Sequence, residues 1–232
     1  MKKLAYYTCY FGNRINHSRL IPPLPSIKYD SYYFTNDIDI YNSLEKTSWK
    51  RILCNNVPVH DCNIKNTMET KILRACPHKF DILNDYEYLC WFDSKLKLYE
   101  NKIEELMTQL SNNKDKIIVL SKHPCSNKFK SVWDEFNLAM EFDRYYLQKE
   151  QNINYIEKQI KNGFSEKISI HFCGGWSLRK KCEKLKEFNE EWYSHILECG
   201  IEDQISLQFV QQKYIDYIIP VEYQETWKYF YD

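Results

Sequence analysis

The stretch YLCWFDSKLKL, residues 88–98, decides how the rest of the chain is read. Residues 88–92 are apolar or aromatic without alternation, the habit of a strand covered on both faces in a parallel sheet. The run then stops at an acid, a hydroxyl and a base. Residues two apart on an extended chain share a face, so Asp93 and Lys95 are expected to point the same way. An ion pair closing a strand end would explain this, and surface pairs of that kind contribute little. A site for an anionic ligand would explain it equally well, because open α/β sheets bind ligands beyond the carboxyl ends of their strands.

Upstream, residues 4–11 read as a buried first strand closed by Gly12-Asn13. Residues 29–37 read as a second strand ending in Thr35-Asn36-Asp37, and 49–54 as a third. Asn63 is placed to cap a helix that runs to Ala75, with Pro77 ending it. Downstream come a helix over 102–110 and a strand over 115–120. Helical periodicity covers 131–142 and 144–162, with Gly163 as the stop. Residues 167–172 read as a strand leading into a Cys173-Gly174-Gly175-Trp176 turn. An amphipathic helix over 179–197 ends at Gly200. The segment 202–214 opens with acids, as a helix N-terminus does, and 214–221 is a last strand. Strands alternating with helices predict an α/β, Rossmann-like, mostly parallel central sheet with helices on both faces. That topology gathers residues 8–13 (Thr8 first), Asn36, Asp37, residues 93–95 and residues 171–176 around one rim.

The 232 residues suit one α/β domain with a large core. Lysine plus arginine equals aspartate plus glutamate, 32 of each, which lacks the basic surplus of a general nucleic-acid binder. No run of 18 apolar residues exists, so no membrane span is expected. The Met-Lys-Lys opening is not followed by an apolar stretch or a small-residue cleavage site and is not read as a signal peptide. Nine cysteines, scattered singly with no CxxC pair, suggest reduced thiols in a cytoplasmic setting rather than a disulfide framework.

An acid just after a hydrophobic central strand is the layout of the Asp-x-Asp motif of nucleotide-sugar transferases. There, two carboxylates hold manganese or magnesium against a leaving diphosphate. Here Lys95 takes the second place. Asp93 is thus a candidate metal ligand, while Lys95 allows a metal-independent site in which a point charge meets the diphosphate directly. Glu202-Asp203 at a helix start can accept a hydroxyl's proton or can simply cap the helix. Gly174-Gly175 would let a sugar or phosphate approach the backbone and Trp176 would stack on a sugar face; a tight turn and a core tryptophan are the plainer alternative. His123 and Glu135 flank a loop. Lys71, Arg74, His78 and Lys79 crowd a helix end, facing either diphosphate or solvent.

Trp91 followed by Asp93-Ser94-Lys95-Leu96, Ser121-x-His123 followed by Glu135, and Asp203-Gln204-Ile205-Ser206 occur in that order. Before them stand Tyr7-Thr8-Cys9 with Gly12, and Arg74, Pro77 and Lys79. On these residues the chain resembles the glycosyltransferase-like domain family, formerly of unknown function, that includes plant proteins linked to mucilage and pollen-tube walls. The resemblance implies one GT-A-like domain over 1–232, with a nucleotide-sugar half over about 1–98 and an acceptor half over about 99–232. It implies a nucleotide-sugar donor and a glycan or other hydroxyl acceptor. Thr8, Asn36 and Asp37 would hold the nucleotide. Arg74, Lys79 and Lys95 would face the diphosphate, and Asp93 a metal or the donor sugar. His123, Gly175 and Trp176 would belong to the donor site. Asp203, with Glu202 beside it, would be the base of an inverting mechanism or would orient the substrates of a retaining one. The missing second acid also leaves room for a non-catalytic nucleotide-sugar or glycan-binding module.

Overall fold

A computed structural model describes residues 2–13 and 21–229. In chain order the elements are β1 (Lys2–Tyr10), β2 (Asp30–Thr35), α1 (Ile38–Ser43), β3 (Lys50–Leu53), α2 (Asn63–Ala75), β4 (Tyr86–Phe92), β5 (Leu96–Leu98) and α3 (Glu100–Asn112). Then follow β6 (Ile118–Lys122), α4 (Val132–Ala139), α5 (Asp143–Tyr146), α6 (Lys149–Lys161), β7 (Phe172–Lys180), α7 (Glu183–Cys199), α8 (Asp203–Tyr214), β8 (Ile218–Val221), α9 (Tyr223–Thr226) and β9 (Trp227–Tyr229).

Seven strands form one sheet in the order β3-β2-β1-β4-β7-β6-β8. All neighbours are parallel except at β7, which is antiparallel to both β4 and β6. The sheet is therefore mainly parallel, and helices cover both faces. Strand alternation divides the side chains between them. Leu4 and Tyr6 of β1, Cys90 and Phe92 of β4 and Leu178 of β7 pack on one face with Ile103, Leu106 and Leu110 of α3. Ala5 and Tyr7, with Leu89 and Trp91, pack on the other with Leu73 of α2. On that same face, Ile118 and Leu120 of β6 meet Phe188 and Trp192 of α7 and Val210 of α8. The continuous apolar run at 88–92 thus has its cause: both of its faces are buried.

Two local expectations are corrected. The segment 167–172 is not the strand, and Gly174-Gly175 is not a turn. The strand is β7, which starts at Phe172 and includes both glycines, bulging there against β6: Cys173 pairs with Ser121 and Ser177 with Leu120. It runs antiparallel, so its first residues rather than its last lie at the carboxyl ends of β1 and β4. Arg179 consequently belongs to β7, and the following helix begins only at Glu183. Trp176 is fully buried within the α3-facing core, beside Phe92 and Leu178. An indole so placed cannot stack on a sugar. Among the described residues no helix is long and apolar enough to cross a membrane.

Trp176→Ala would leave a large void between β7 and α3. The expected cost is about 3–5 kcal/mol of folding stability, read from urea unfolding followed by circular dichroism.

Candidate active site

Strand order reverses beside β1: β2 lies on one side of it and β4 on the other. A crevice at such a switch point is where α/β sheets place ligands. A cleft of about 350 Å³ opens there, reached by Cys9 from the end of β1 and by Trp91 and Asp93 from the end of β4. The start of β7, α2, the N-terminus of α8, the β5–β9 ribbon and, opposite, residues of α4 and α5 line the rest.

Asp93 and Lys95 both line this cleft, with Lys95 Nζ 3.9 Å from Asp93 Oδ2. The reason differs from the one the sequence suggested. β4 ends at Phe92, and residues 93–95 form a turn closed by the Leu96 amide donating to the Asp93 carbonyl at 3.0 Å. The two charges meet across that turn rather than along a strand face. The Asp93 amide donates to the Gly175 carbonyl at 2.8 Å, which fixes the turn against β7.

The floor is a buried ion cluster. Lys71 and Arg74 lie three apart on α2, hence on one helix face. Lys71 Nζ reaches Asp203 Oδ2 at 3.0 Å and Arg74 Nη1 reaches the same oxygen at 2.8 Å. All three side chains are buried. Burial pulls the lysine's pKa below its ordinary value, against the pull of Asp203. The arginine is held above its ordinary value: burial lowers it, but Asp203 and then Asp93 outweigh that. Gly174 gives the guanidinium its space. A Cβ built on Gly174 would lie 2.2 Å from Arg74 Nη2, so here the absence of a side chain, rather than backbone freedom, is what the position requires.

Glu202 precedes α8 and accepts a hydrogen bond from the Gln204 amide at 3.2 Å, a capping contact. Its carboxyl is also fully desolvated. Burial pushes its pKa up to about 7, helped by the nearby charges of Glu135 and Asp203 and opposed by Lys71 and a hydrogen bond with Tyr145. Gln204 ties this edge together: its Nε2 donates to Glu135 Oε1 at 2.8 Å and its Oε1 accepts from the Gly174 amide at 3.2 Å. Glu135 Oε2 in turn contacts His171 Nε2 at 2.6 Å.

His123, Glu135 and His171 bring potential metal-ligand atoms within 4.8 Å of one another. The hydrogen bonding, however, engages one of the three. His123 Nδ1 accepts from the Cys125 amide at 3.0 Å, so the neutral ring carries its proton on Nε2 and leaves no lone pair for a metal. The ring is neutral near pH 7, because burial and then His171 push its pKa down to about 4. At Asp93 the partner is an ammonium instead of a second carboxylate. Neither place offers the oxygen cage that manganese or magnesium takes.

No family model and no curated protein matches the chain. Among solved structures it superposes on the crystal structure of mouse xyloside xylosyltransferase 1 in its apo form. The TM-score is 0.52 at 10% sequence identity, over 95% of this chain and 84% of that one. The fold is GT-A-like. At this identity the likeness speaks for architecture alone.

Of the residues expected at the site, Arg74, Asp93, Lys95, His123, Gly175, Glu202 and Asp203 line the cleft. Others do local structural work and do not line it. Asn36 Oδ1 accepts from the Gly12 amide at 2.9 Å and its Nδ2 donates to the Pro58 carbonyl at 2.9 Å, pinning two loops together. Asp37 caps α1 by accepting from the amides of Asp39 and Ile40. Lys79 lies over the Tyr193 ring. Thr8 is fully buried within β1, one residue short of the cleft. Trp176 is core. Tyr145, on the short α5, was not foreseen: nothing in the sequence distinguishes it from its aromatic neighbours Phe142 and Tyr146.

Gly174→Ala is expected to drive Arg74 off Asp203 and cost about 1–3 kcal/mol. The same change in an Arg74→Ala background should cost much less, and a double-mutant cycle by chemical denaturation measures the difference. Glu202 has a folded pKa above its ordinary 4.5. Its contribution is therefore full below about pH 4.5 and is lost as pH rises toward 7. Unfolding free energies across that window should fall for the native chain, with a shallower decline in Glu202→Gln.

Proposed function

We propose that the chain is a glycosyltransferase that moves a sugar from a nucleoside-diphosphate donor to a hydroxyl acceptor, a glycan or another alcohol. One observation carries this reading. The charged turn at 93–95 and the Glu202-Asp203 pair, more than a hundred residues apart in sequence, line one cleft at the switch point of a GT-A-like sheet. The sequence resemblance to the glycosyltransferase-like family points the same way.

In this reading Lys95 and Arg74, with Lys71 behind them, meet the negative diphosphate and stabilise it as it leaves. The Arg74 side chain is positioned by Gly174 and Asp203. Asp203, paired with two cations, orients the cleft floor. Glu202 handles the proton: a carboxylate with a pKa of about 7 is matched to abstracting a proton near neutral pH. The acceptor oxygen loses its proton to Glu202 and bonds to the anomeric carbon. The bond from that carbon to the diphosphate oxygen breaks, and the nucleoside diphosphate leaves with the electron pair. These roles describe an inverting displacement; in a retaining one the departing diphosphate would itself take the acceptor's proton, and Glu202 and Asp203 would orient the substrates.

A second reading, a non-catalytic nucleotide-sugar-binding module, is favoured by the neutralisation of Asp203 by Lys71 and Arg74. Incubation with a panel of nucleotide sugars separates the two. Transferase activity predicts release of nucleoside diphosphate at a rate that rises with pH through about 7. Glu202→Gln should lower that rate by about 10²–10⁴-fold. Binding of a nucleotide sugar with neither transfer nor hydrolysis would establish the module instead.

A further inference from the structure

We infer that the cleft binds the donor's diphosphate with a cradle made of Lys95, Arg74 and Lys71, and does so without a divalent cation. The inference rests on the glycosyltransferase reading and specifies how that site meets its ligand's charge.

Three observations carry it. The first is charge. A divalent cation held by two carboxylates is neutral overall, and so is Asp93 with Lys95 at 3.9 Å. The lysine thus preserves the electrostatics of a metal-bearing acid pair while supplying the positive end from the chain itself. A divalent ion placed on Asp93 would instead face an ammonium at close range and be repelled. The second is the surplus beneath. Lys71 and Arg74 share a single carboxylate oxygen of Asp203, so this buried group keeps one positive charge in excess. Arg74 Nε has no hydrogen-bond partner although the residue is only 7% exposed. That nitrogen is itself closed to solvent, but the residue lines the cleft, and a phosphate oxygen is the acceptor a guanidinium fits best. The third is preparation of the space. Gly174 and Gly175 keep the wall beside Arg74 and Asp93 free of side chain, with a Cβ on Gly175 lying 3.2 Å from Asp93 Oδ2.

The test is isothermal titration of the full chain with UDP, GDP, ADP and inorganic pyrophosphate, each in excess EDTA and in manganese. The expected result is binding of at least one nucleotide with dissociation constants within about threefold in the two buffers. Lys95→Ala, a change at a half-exposed position that leaves the core intact, should weaken binding in EDTA by roughly tenfold or more. Lys95→Asp should lose binding in EDTA and regain it with manganese. Binding by the native chain only when manganese is present overturns the inference and leaves the glycosyltransferase reading standing. Unchanged affinity in Lys95→Ala overturns it as well. Pyrophosphate binding in EDTA without any nucleotide binding supports the cradle and sinks the nucleotide-sugar reading. Absence of binding by all four ligands in both buffers overturns the cradle.

Discussion

The structure depends on one buried contact: a single carboxylate oxygen of Asp203 shared by Lys71 and Arg74. It joins the last turns of α2 to the first residue of α8, elements about 130 positions apart in sequence. Both helix dipoles favour it, since cations suit a helix C-terminus and an anion suits an N-terminus. Burying three charges is expensive, and breaking such a group strands an uncompensated ion, typically at about 3–5 kcal/mol. Well-packed apolar residues would hold the two helices together at lower cost. That an ionic floor stands there instead, beneath a cleft, is best understood as preparation for an anionic ligand.

The arrangement also divides labour between neighbouring acids. Asp203 is held by cations, whereas Glu202, one residue earlier, is desolvated and close to Glu135. Adjacent carboxylates in different surroundings thus become a structural anion and a proton acceptor poised near neutrality. The sequence showed only a Glu-Asp pair at a helix start and assigned the chemistry chiefly to Asp203. Which acid would be clamped depended on where α2 delivers its lysine and arginine, and that is set by packing between distant elements.

Much of the fold was legible because its signals are local. The unbroken apolar run at 88–92, the extent of the helix from Asn63 to Ala75 and the acidic start of α8 all read correctly, although the N-cap is Cys62, with no side-chain cap, and Asn63 is the first helical residue. What failed was β7. Two glycines followed by a tryptophan resemble a turn, and local propensity offers no hint that neighbouring strands β4 and β6 will pair with both sides of that segment. The site was legible in proportion to its charge. Charged residues with no local backbone partner to serve, such as Arg74 and Lys95, fell at the cleft together with Asp93, whereas Lys79, equally charged, lies over the Tyr193 ring. Polar residues that also serve as turn or cap formers did not: Asn36 and Asp37 satisfy backbone groups of their own loops. Identical residue types in identical rim positions cannot be told apart without knowing which backbone donors need them.

The cleft walls also differ in stiffness. One side is the start of β7, held where Cys173 pairs with β6, where Trp176 pairs with β4 and where the Gly175 carbonyl accepts from the Asp93 amide. The facing side includes α5, a single turn with no buried residue, flanked by Phe142 at 52% and Leu147 at 74% exposure. A segment with so little buried surface opens at low free-energy cost. Shape adjustment to differently sized guests therefore falls to the α5 flank, while the glycine-bearing flank acts as a fixed template. On the proposed glycosyltransferase reading, tolerance for varied acceptors and strictness toward the donor would follow from that unequal compliance.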